Sequence, residues 1–411
     1  MRFPAALRAL NHRDFRLFWL GQSLSVIGSW MQSVGLSWLV LELTDSPIRL
    51  GLVSALQFAP LLAFSLIAGV IVDRVPKRRL VLTTQVALML PAFALAALAW
   101  TGHVRYWHLA VLAAVIGVVN ALDMPSRQTF TVEMVGRDDL LNAVALNSAT
   151  FNAARITGPA IGGVLIARYG TAAAFFLNGL SFLPVVAALT VIRSGSQPAP
   201  RRGTRMREEL LGGIHYAART PLVALILGLL LVLSVFALNH GVLVPLFARE
   251  VLHQGVHGFG FLMASLGVGA VAGAIAVAAL SHHRPPLGAV IGPAFVAAGG
   301  ILSLAFVRRF PVAAAVLFVV GANQIVFLNA CNTTVQVTVP DELRGRMMSL
   351  YTMVFAGVSP FGAFLIGSIA EGLGVPAACG VGGGLALVMV LVLVATWRRA
   401  AARTAGVAAV R

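Results

Sequence analysis

Apolar and polar positions in this chain fall in blocks rather than in a helical or strand period. Long runs nearly free of charge are separated by short polar or basic links. Twelve such runs can be read, at roughly 15–42, 48–72, 79–100, 106–132, 143–167, 171–192, 220–247, 257–281, 287–307, 311–338, 346–370 and 375–397. About 20 apolar residues at 1.5 Å rise match the hydrocarbon thickness of a bilayer, and backbone in lipid must satisfy its own hydrogen bonds, so each run predicts a membrane-spanning helix. The expected fold class is an all-α polytopic membrane protein with twelve transmembrane helices in two six-helix pseudo-symmetric bundles. Residues 1–192 form the first bundle, 193–219 a cytoplasmic linker and 220–411 the second bundle.

The linker begins with a Ser-, Pro- and Gly-rich stretch, Ser194 to Gly203. It continues with Met206, Leu210, Ile214 and Ala217 on one helical face, the pattern of an amphipathic helix on a membrane surface. The pseudo-symmetry is read from repeated segments. Arg137-Asp138-Asp139-Leu140 before span 5 resembles Pro340-Asp341-Glu342-Leu343 before span 11, and Gly158-Pro159-Ala160-Ile161-Gly162 resembles Ser359-Pro360-Phe361-Gly362. Parallel repeats of this kind fit transporters whose substrate site lies near the bilayer midplane.

Composition agrees with a polytopic protein and excludes other classes. With 59% hydrophobic and 11% charged residues, and a mean hydropathy of +0.90, a soluble domain of 411 residues lacks the charge to cover its surface. The net charge of +16 does not form an aromatic-interleaved patch, so no nucleic-acid partner is expected. Most of the 30 Lys and Arg fall on the side of both termini, which places those termini in the cytoplasm, while Arg155 stands inside a span. The N-terminus is basic and runs straight into a full-length span, so no cleaved leader is expected. Cys331 and Cys379 sit in separate spans and predict no disulfide. His282-His283 has no nearby carboxylate and no phosphate-cradling loop is present; no metal, cofactor or enzymatic activity is expected.

Polar groups inside spans mark candidate chemistry, because lipid cannot satisfy them. Asn120, Asp123 and Arg127 lie on one face of span 4; Ser148, Asn152 and Arg155 share a face of span 5; Asn329, Asn332 and Gln336 form a third stripe below Asn323 and Gln324. Gln32, Asn239 and His240 add to the set. Trp30, Trp38, Phe236 and Phe327 on the same spans predict a mostly apolar cavity suited to a large amphipathic organic molecule. Asp123 is the carboxylate placed well inside a span, which makes it, with Arg155, the candidate proton-coupling pair. A static pair of Asp123 with Arg155 or with Arg127 is the alternative.

Two motifs add a resemblance. The link Gly69-Val70-Ile71-Val72-Asp73-Arg74-Val75-Pro76-Lys77-Arg78-Arg79 resembles the loop between helices 2 and 3 of the major facilitator superfamily, with Pro76 where that family more often has Gly. Gly158-Pro159-Ala160-Ile161-Gly162-Gly163 is similar to the antiporter motif of the same superfamily, although Ala145 and Ala154 stand where its pattern has further glycines. Together with Phe15-Arg16-Leu17-Phe18-Trp19-Leu20-Gly21-Gln22 and Thr44-Asp45-Ser46-Pro47, these resemble the branch of bacterial siderophore (enterobactin-type) and macrolide exporters. The resemblance implies a proton-driven exporter of the bacterial inner membrane, a monomer in the bilayer, with Gly69, Asp73, Arg74, Lys77, Arg78 and Arg79 as a conformational latch. It also implies that spans 1, 4, 7 and 10 line a cavity carrying Gln32, Asn120, Asn239, Asn323, Asn329 and Asn332, joined by Asn152. A transport-inactive sensor of the same fold, or an uncoupled facilitator, is the alternative function.

Overall fold

The computed structural model describes residues 4–136, 138–192, 215–280 and 286–409, whose regular elements are helices, without a strand among them. After a short 3-10 segment at Ala5–Asn11 come α1 (Arg13–Thr44), α2 (Pro47–Arg74), α3 (Lys77–Trp100), α4 (Tyr106–Val135) and α5 (Leu140–Val191). The remainder comprises α6 (Pro221–Phe236), α7 (His240–Leu246), a π turn (Phe247–Val251), α8 (Val256–Leu280), α9 (Gly288–Leu304), α10 (Phe310–Thr338), α11 (Asp341–Gly357), α12 (Ser359–Leu373) and α13 (Val375–Ala409). Among the described residues, nine helices are long and apolar enough to cross a membrane, and α9 is a shorter apolar one.

Turn chemistry sets the breaks between runs. Asp45 adopts a left-handed φ of 49° after α1, Ser46 accepts from Arg49 N and Pro47 opens α2, where its missing N–H costs nothing. Runs 5 and 6 are one element, α5, whose arms 140–169 and 171–191 meet at Gly170 with φ 79° and ψ 170°. Gly374 takes the same shape, φ 83° and ψ 160°, between α12 and α13. Both conformations favour a residue without Cβ.

Two predicted spans are interrupted. Run 7 breaks at residues 237–239, where the Asn239 side chain donates to Ser234 O at 3.2 Å and Val235 O at 2.7 Å and so satisfies carbonyls the ended helix leaves open. Run 11 breaks at Val358, just ahead of Pro360. The amphipathic stretch Met206 to Ala217 lies outside the described residues apart from its last positions, which belong to a helical turn at 215–219.

By contacts the chain divides into Met1–Arg201 with His253–Gly267, and Arg202–Leu252 with Val268–Arg411. In the first unit α1 lies along both arms of α5, α2 pairs with α4, and α3 packs on α4 and α5. Its core near the chain start gathers Phe15, Phe18, Val81, Phe130, Met134 and Leu189, with Phe18 edge-on to Phe130 at 5.6 Å. In the second unit α9 packs on α10 and α13, and α13 also flanks α6 and α12. Cys331 and Cys379 are free and buried.

Candidate functional site

Asp123 sits in the middle of a polar cluster built by α3 and α4. Its side chain is 1% exposed; Oδ1 accepts from Thr84 Oγ1 at 2.7 Å and from Gln85 Nε2 at 2.9 Å. Arg127 Nε lies 2.6 Å from Oδ2, a charge contact without hydrogen-bond alignment. Of the partners left open by the sequence, the structure therefore pairs Asp123 with Arg127, one turn further along α4. Among the described residues the groups on the carboxylate are Thr84, Gln85 and Arg127; Arg155 is elsewhere, partly buried on α5, with its carbonyl oxygen 3.1 Å from a Cβ built on Gly267. Sequence reading missed Thr84 and Gln85. Their signal was available, since Thr83-Thr84-Gln85 is the polar interruption of run 3.

The basic loop is partly a pair of helix caps. Lys77 is buried, and its Nζ donates to Val72 O and to Val75 O, which closes the end of α2. Arg78 donates from Nε to Leu189 O at 2.7 Å and from Nη2 to Thr190 O at 2.8 Å, at the end of α5. Cations on terminal carbonyls also oppose the negative end of the helix dipole. Arg74 and Arg79 are exposed. Gly69 and Asp73 lie on α2, but the surroundings of Gly69 and the side chain of Asp73 are outside the described residues.

The glycines of the antiporter-like motif face neighbouring backbones. A Cβ on Gly158 would stand 2.5 Å from Trp30 Cβ and 2.9 Å from Ile27 O, and one on Gly162 would stand 3.1 Å from Met31 Cγ, so both hold α1 against α5. Gly163 faces Gly260 of α8, where a Cβ on Gly260 would meet Pro159 O at 2.7 Å. Pro159 itself is buried inside α5. The motif is thus a close-packing surface of small residues.

The cavity candidates divide. Gln32 is buried and accepts from Asn178 Nδ2 at 2.7 Å, and Gly28 leaves room for Asn178 and Ser181 because its Cβ would meet them at 2.5 and 2.4 Å. Gln32 therefore locks α1 to the second arm of α5 and is not available to a ligand; Asn239 closes the helix break already described. Asn178, 1% exposed, was overlooked although it is the amide of run 6. The rest keep faces open. Asn152, Asn323 and Asn329 donate to the carbonyls of Ser148, Val319 and Ile325 within their own helices, Asn332 accepts from Gln336, and Asn120 is half-buried on α4. Asn329 is exposed, an unusual place for an amide within an apolar helix unless water reaches it.

The expected aromatic lining also needs correction. Phe327 is fully buried, and Trp38 is 9% exposed, stacked on Phe259 at 6.4 Å and donating to Glu42 Oε1 at 2.6 Å. Both are core residues. Trp30, edge-on to Phe151 at 5.7 Å, and Phe236 are the aromatics that stay partly open.

A profile of the family described as transmembrane secretion effector matches residues 5–408. The multidrug efflux pump Tap of Mycolicibacterium fortuitum is 26% identical over 359 residues, covering 85% of this chain and 87% of the pump. The enterobactin exporter EntS of Shigella boydii is 25% identical over 394 residues, 93% of this chain and 92% of its own. The staphyloferrin A transporter of Staphylococcus aureus is 23% identical over 376 residues, 88% and 90% of the two chains. Among solved structures, a POT family transporter in complex with a thioalcohol-conjugated peptide has a TM-score of 0.75 at 11% identity, covering 94% of this chain and 96% of that one. The POT family transporter PepTSo gives 0.73 at 10% identity over 95% and 98%. With a profile that runs over nearly every residue and a fold shared along the same length, this chain belongs to the transmembrane secretion effector family of major facilitator transporters.

Proposed function

We propose that the protein is a secondary active exporter that moves an amphipathic small molecule, of siderophore, macrolide or drug-like class, out of the cytoplasm by alternating access and at the expense of a proton gradient. The observation that carries this reading is the match of residues 5–408 to a secretion family in which relatives are, by name, a multidrug efflux pump and an enterobactin exporter. In the proposed architecture α5 counts as two spans, α6 with α7 as one and α11 with α12 as one, giving twelve in two bundles, 1–192 and 220–411, joined by 193–219. The protein is a monomer of the cytoplasmic membrane with both termini inside. Asn120, Asn152, Asn323, Asn329 and Asn332 orient the substrate, and Asp73 is the latch.

Coupling is assigned to Asp123, with Arg155 as a second charge that responds to conformation. Protonation of Asp123 removes the charge that holds Arg127, whose side chain is already 26% exposed and has somewhere to go. The test is flux in inverted vesicles with an acid interior, using a macrolide, a catecholate siderophore and a lipophilic dye cation as probes. Uphill uptake that collapses with a protonophore is expected for at least one probe. No flux of any probe would refute the exporter reading. A second reading, an uncoupled facilitator, is favoured by one observation: both oxygens of Asp123 already have partners, as in a static structural pair. Downhill flux indifferent to the gradient would decide for it.

A further inference from the structure

The first unit carries a long apolar groove that the transport reading leaves unused. It runs between the first half of α1 and the last two turns of α5, with a volume of about 690 Å³, and is lined by Leu17, Leu20, Leu24, Ala187 and Val191 with Arg13 at one end. Its floor is set by Gly21, where a Cβ would stand 2.7 Å from Val185 Cα, so the two helices touch backbone to backbone and the leucines form the rims. Leu20, Leu24 and Val191 are 53%, 52% and 52% exposed. Of the polar side chains along its length, Ser23 donates its hydroxyl to Trp19 O and the indole nitrogen of Trp19 is buried. A ligand there meets hydrocarbon along the groove and charge only at its end.

That end is cationic. Arg13 stands at the first position of α1, where the helix presents backbone N–H groups without a side-chain cap, and its guanidinium is 59% exposed with Asp14 Oδ1 no nearer than 3.9 Å. Arg78 reaches the same end from the first turn of α3, bound to the carbonyls of Leu189 and Thr190 beside Val191. An apolar trough ending between two arginines complements a molecule with an acyl chain and an anionic head. We propose that this groove binds one anionic phospholipid, its chain along Leu17, Leu20 and Leu24 and its phosphate between Arg13 and Arg78. The proposal rests on the membrane reading above; in that topology the lipid belongs to the cytoplasmic leaflet, the one that carries negative surface charge.

Native mass spectrometry of the full chain in detergent, titrated separately with phosphatidylglycerol and phosphatidylcholine, tests it. One phosphatidylglycerol should bind in preference to phosphatidylcholine. Arg13→Gln should weaken phosphatidylglycerol about five-fold, the value of one arginine near a headgroup, and leave phosphatidylcholine unchanged. Arg13→Lys should keep the preference, Leu20→Trp should reduce both lipids by filling the groove, and Arg105→Gln, at the start of α4, should change neither. Equal binding of the two lipids, an Arg13→Gln variant that binds like the parent, or competition by inorganic phosphate at the lipid's own concentration would overturn the proposal. Since binding is read without flux, a failed lipid site beside intact export refutes this inference alone, and a lipid site without export refutes the exporter reading alone.

Discussion

Replacing Asp123 by Asn isolates the charge of the buried cluster while preserving its shape. The amide oxygen can continue to accept from Thr84 and Gln85, which hold Oδ1 at 2.7 and 2.9 Å, but the NH2 group then faces Arg127 and donor meets donor. Turning the amide over sets the NH2 against the Gln85 donor instead. Either way a buried donor loses its acceptor. Leaving a charged partner unsatisfied costs about 1.5–3 kcal/mol, below the roughly 3–5 kcal/mol of a fully buried broken pair, because the Arg127 side chain is 26% exposed and can turn outward. A loss of about 2 kcal/mol follows, which in a chain this large lowers the midpoint of unfolding in detergent by only a few °C.

The informative comparison is the double variant Asp123→Asn, Arg127→Gln. If the pair is an ion contact, removing both charges recovers part of the loss, with a coupling energy of about 1 kcal/mol or more. Effects of the two single changes that simply add would refute the pairing. Transport in vesicles separates stability from coupling: the single variant should exchange substrate across the membrane yet fail to accumulate it against a gradient. Uphill export surviving in Asp123→Asn would remove Asp123 from the coupling mechanism.

Three further outcomes follow from geometry. Gly260→Val forces side-chain atoms onto Pro159 O and Gly163, since even a Cβ stands 2.7 and 2.9 Å away; overpacking of about 1–3 kcal/mol should appear as a lowered unfolding midpoint, larger than for Val at the open Gly241. A double-mutant cycle with Gln32→Ala and Asn178→Ala should return about 1 kcal/mol of coupling through their 2.7 Å hydrogen bond, read by thermal unfolding. Asp139 binds Arg8 at 2.9 Å and His12 at 2.8 Å, so Asp139→Ala should free the Ala5–Asn11 segment and speed its hydrogen exchange at least several-fold, with little change in α1 beyond its first turn.

The apolar blocks were legible because bilayer thickness imposes a minimum length on any helix that crosses it. The interruptions at Asn239 and Val358 were not. A run of apolar residues reads the same whether its helix is continuous or closed midway by an amide on two carbonyls, and only the three-dimensional position of Asn239 distinguishes them. Phe327 and Trp38, expected from the sequence to line a cavity, are core for a related reason: a helix that is apolar all round has no period from which to read which face is inward. Within the Asp123 cluster, the partner on the same helix was within reach of spacing rules, because Arg127 is four residues on. Thr84 and Gln85 required knowledge that α3 packs against α4, which no local pattern supplies.

Asp73 is the residue whose position in the chain argues most directly for a role outside its own helix. It is the penultimate residue of α2, where the carbonyl end of the helix dipole is negative and a carboxylate is disfavoured by about 0.3–1 kcal/mol. Two of the basic groups around it are committed elsewhere, Lys77 to Val72 O and Val75 O and Arg78 to Leu189 O and Thr190 O, while Arg74 and Arg79 are exposed. An acidic residue at the carbonyl end of its own helix fits the proposed latch, in which its stabilisation would come from one conformation rather than from folding. Asp73→Asn should therefore raise the unfolding midpoint slightly, by the dipole term of about 0.3–1 kcal/mol, while slowing turnover and increasing labelling of a cysteine introduced at the cytoplasmic side. A purely structural Asp73 makes the opposite forecast, lower stability with turnover falling in proportion to folded protein. Stability lost and labelling unchanged in the same variant would remove the latch from the mechanism.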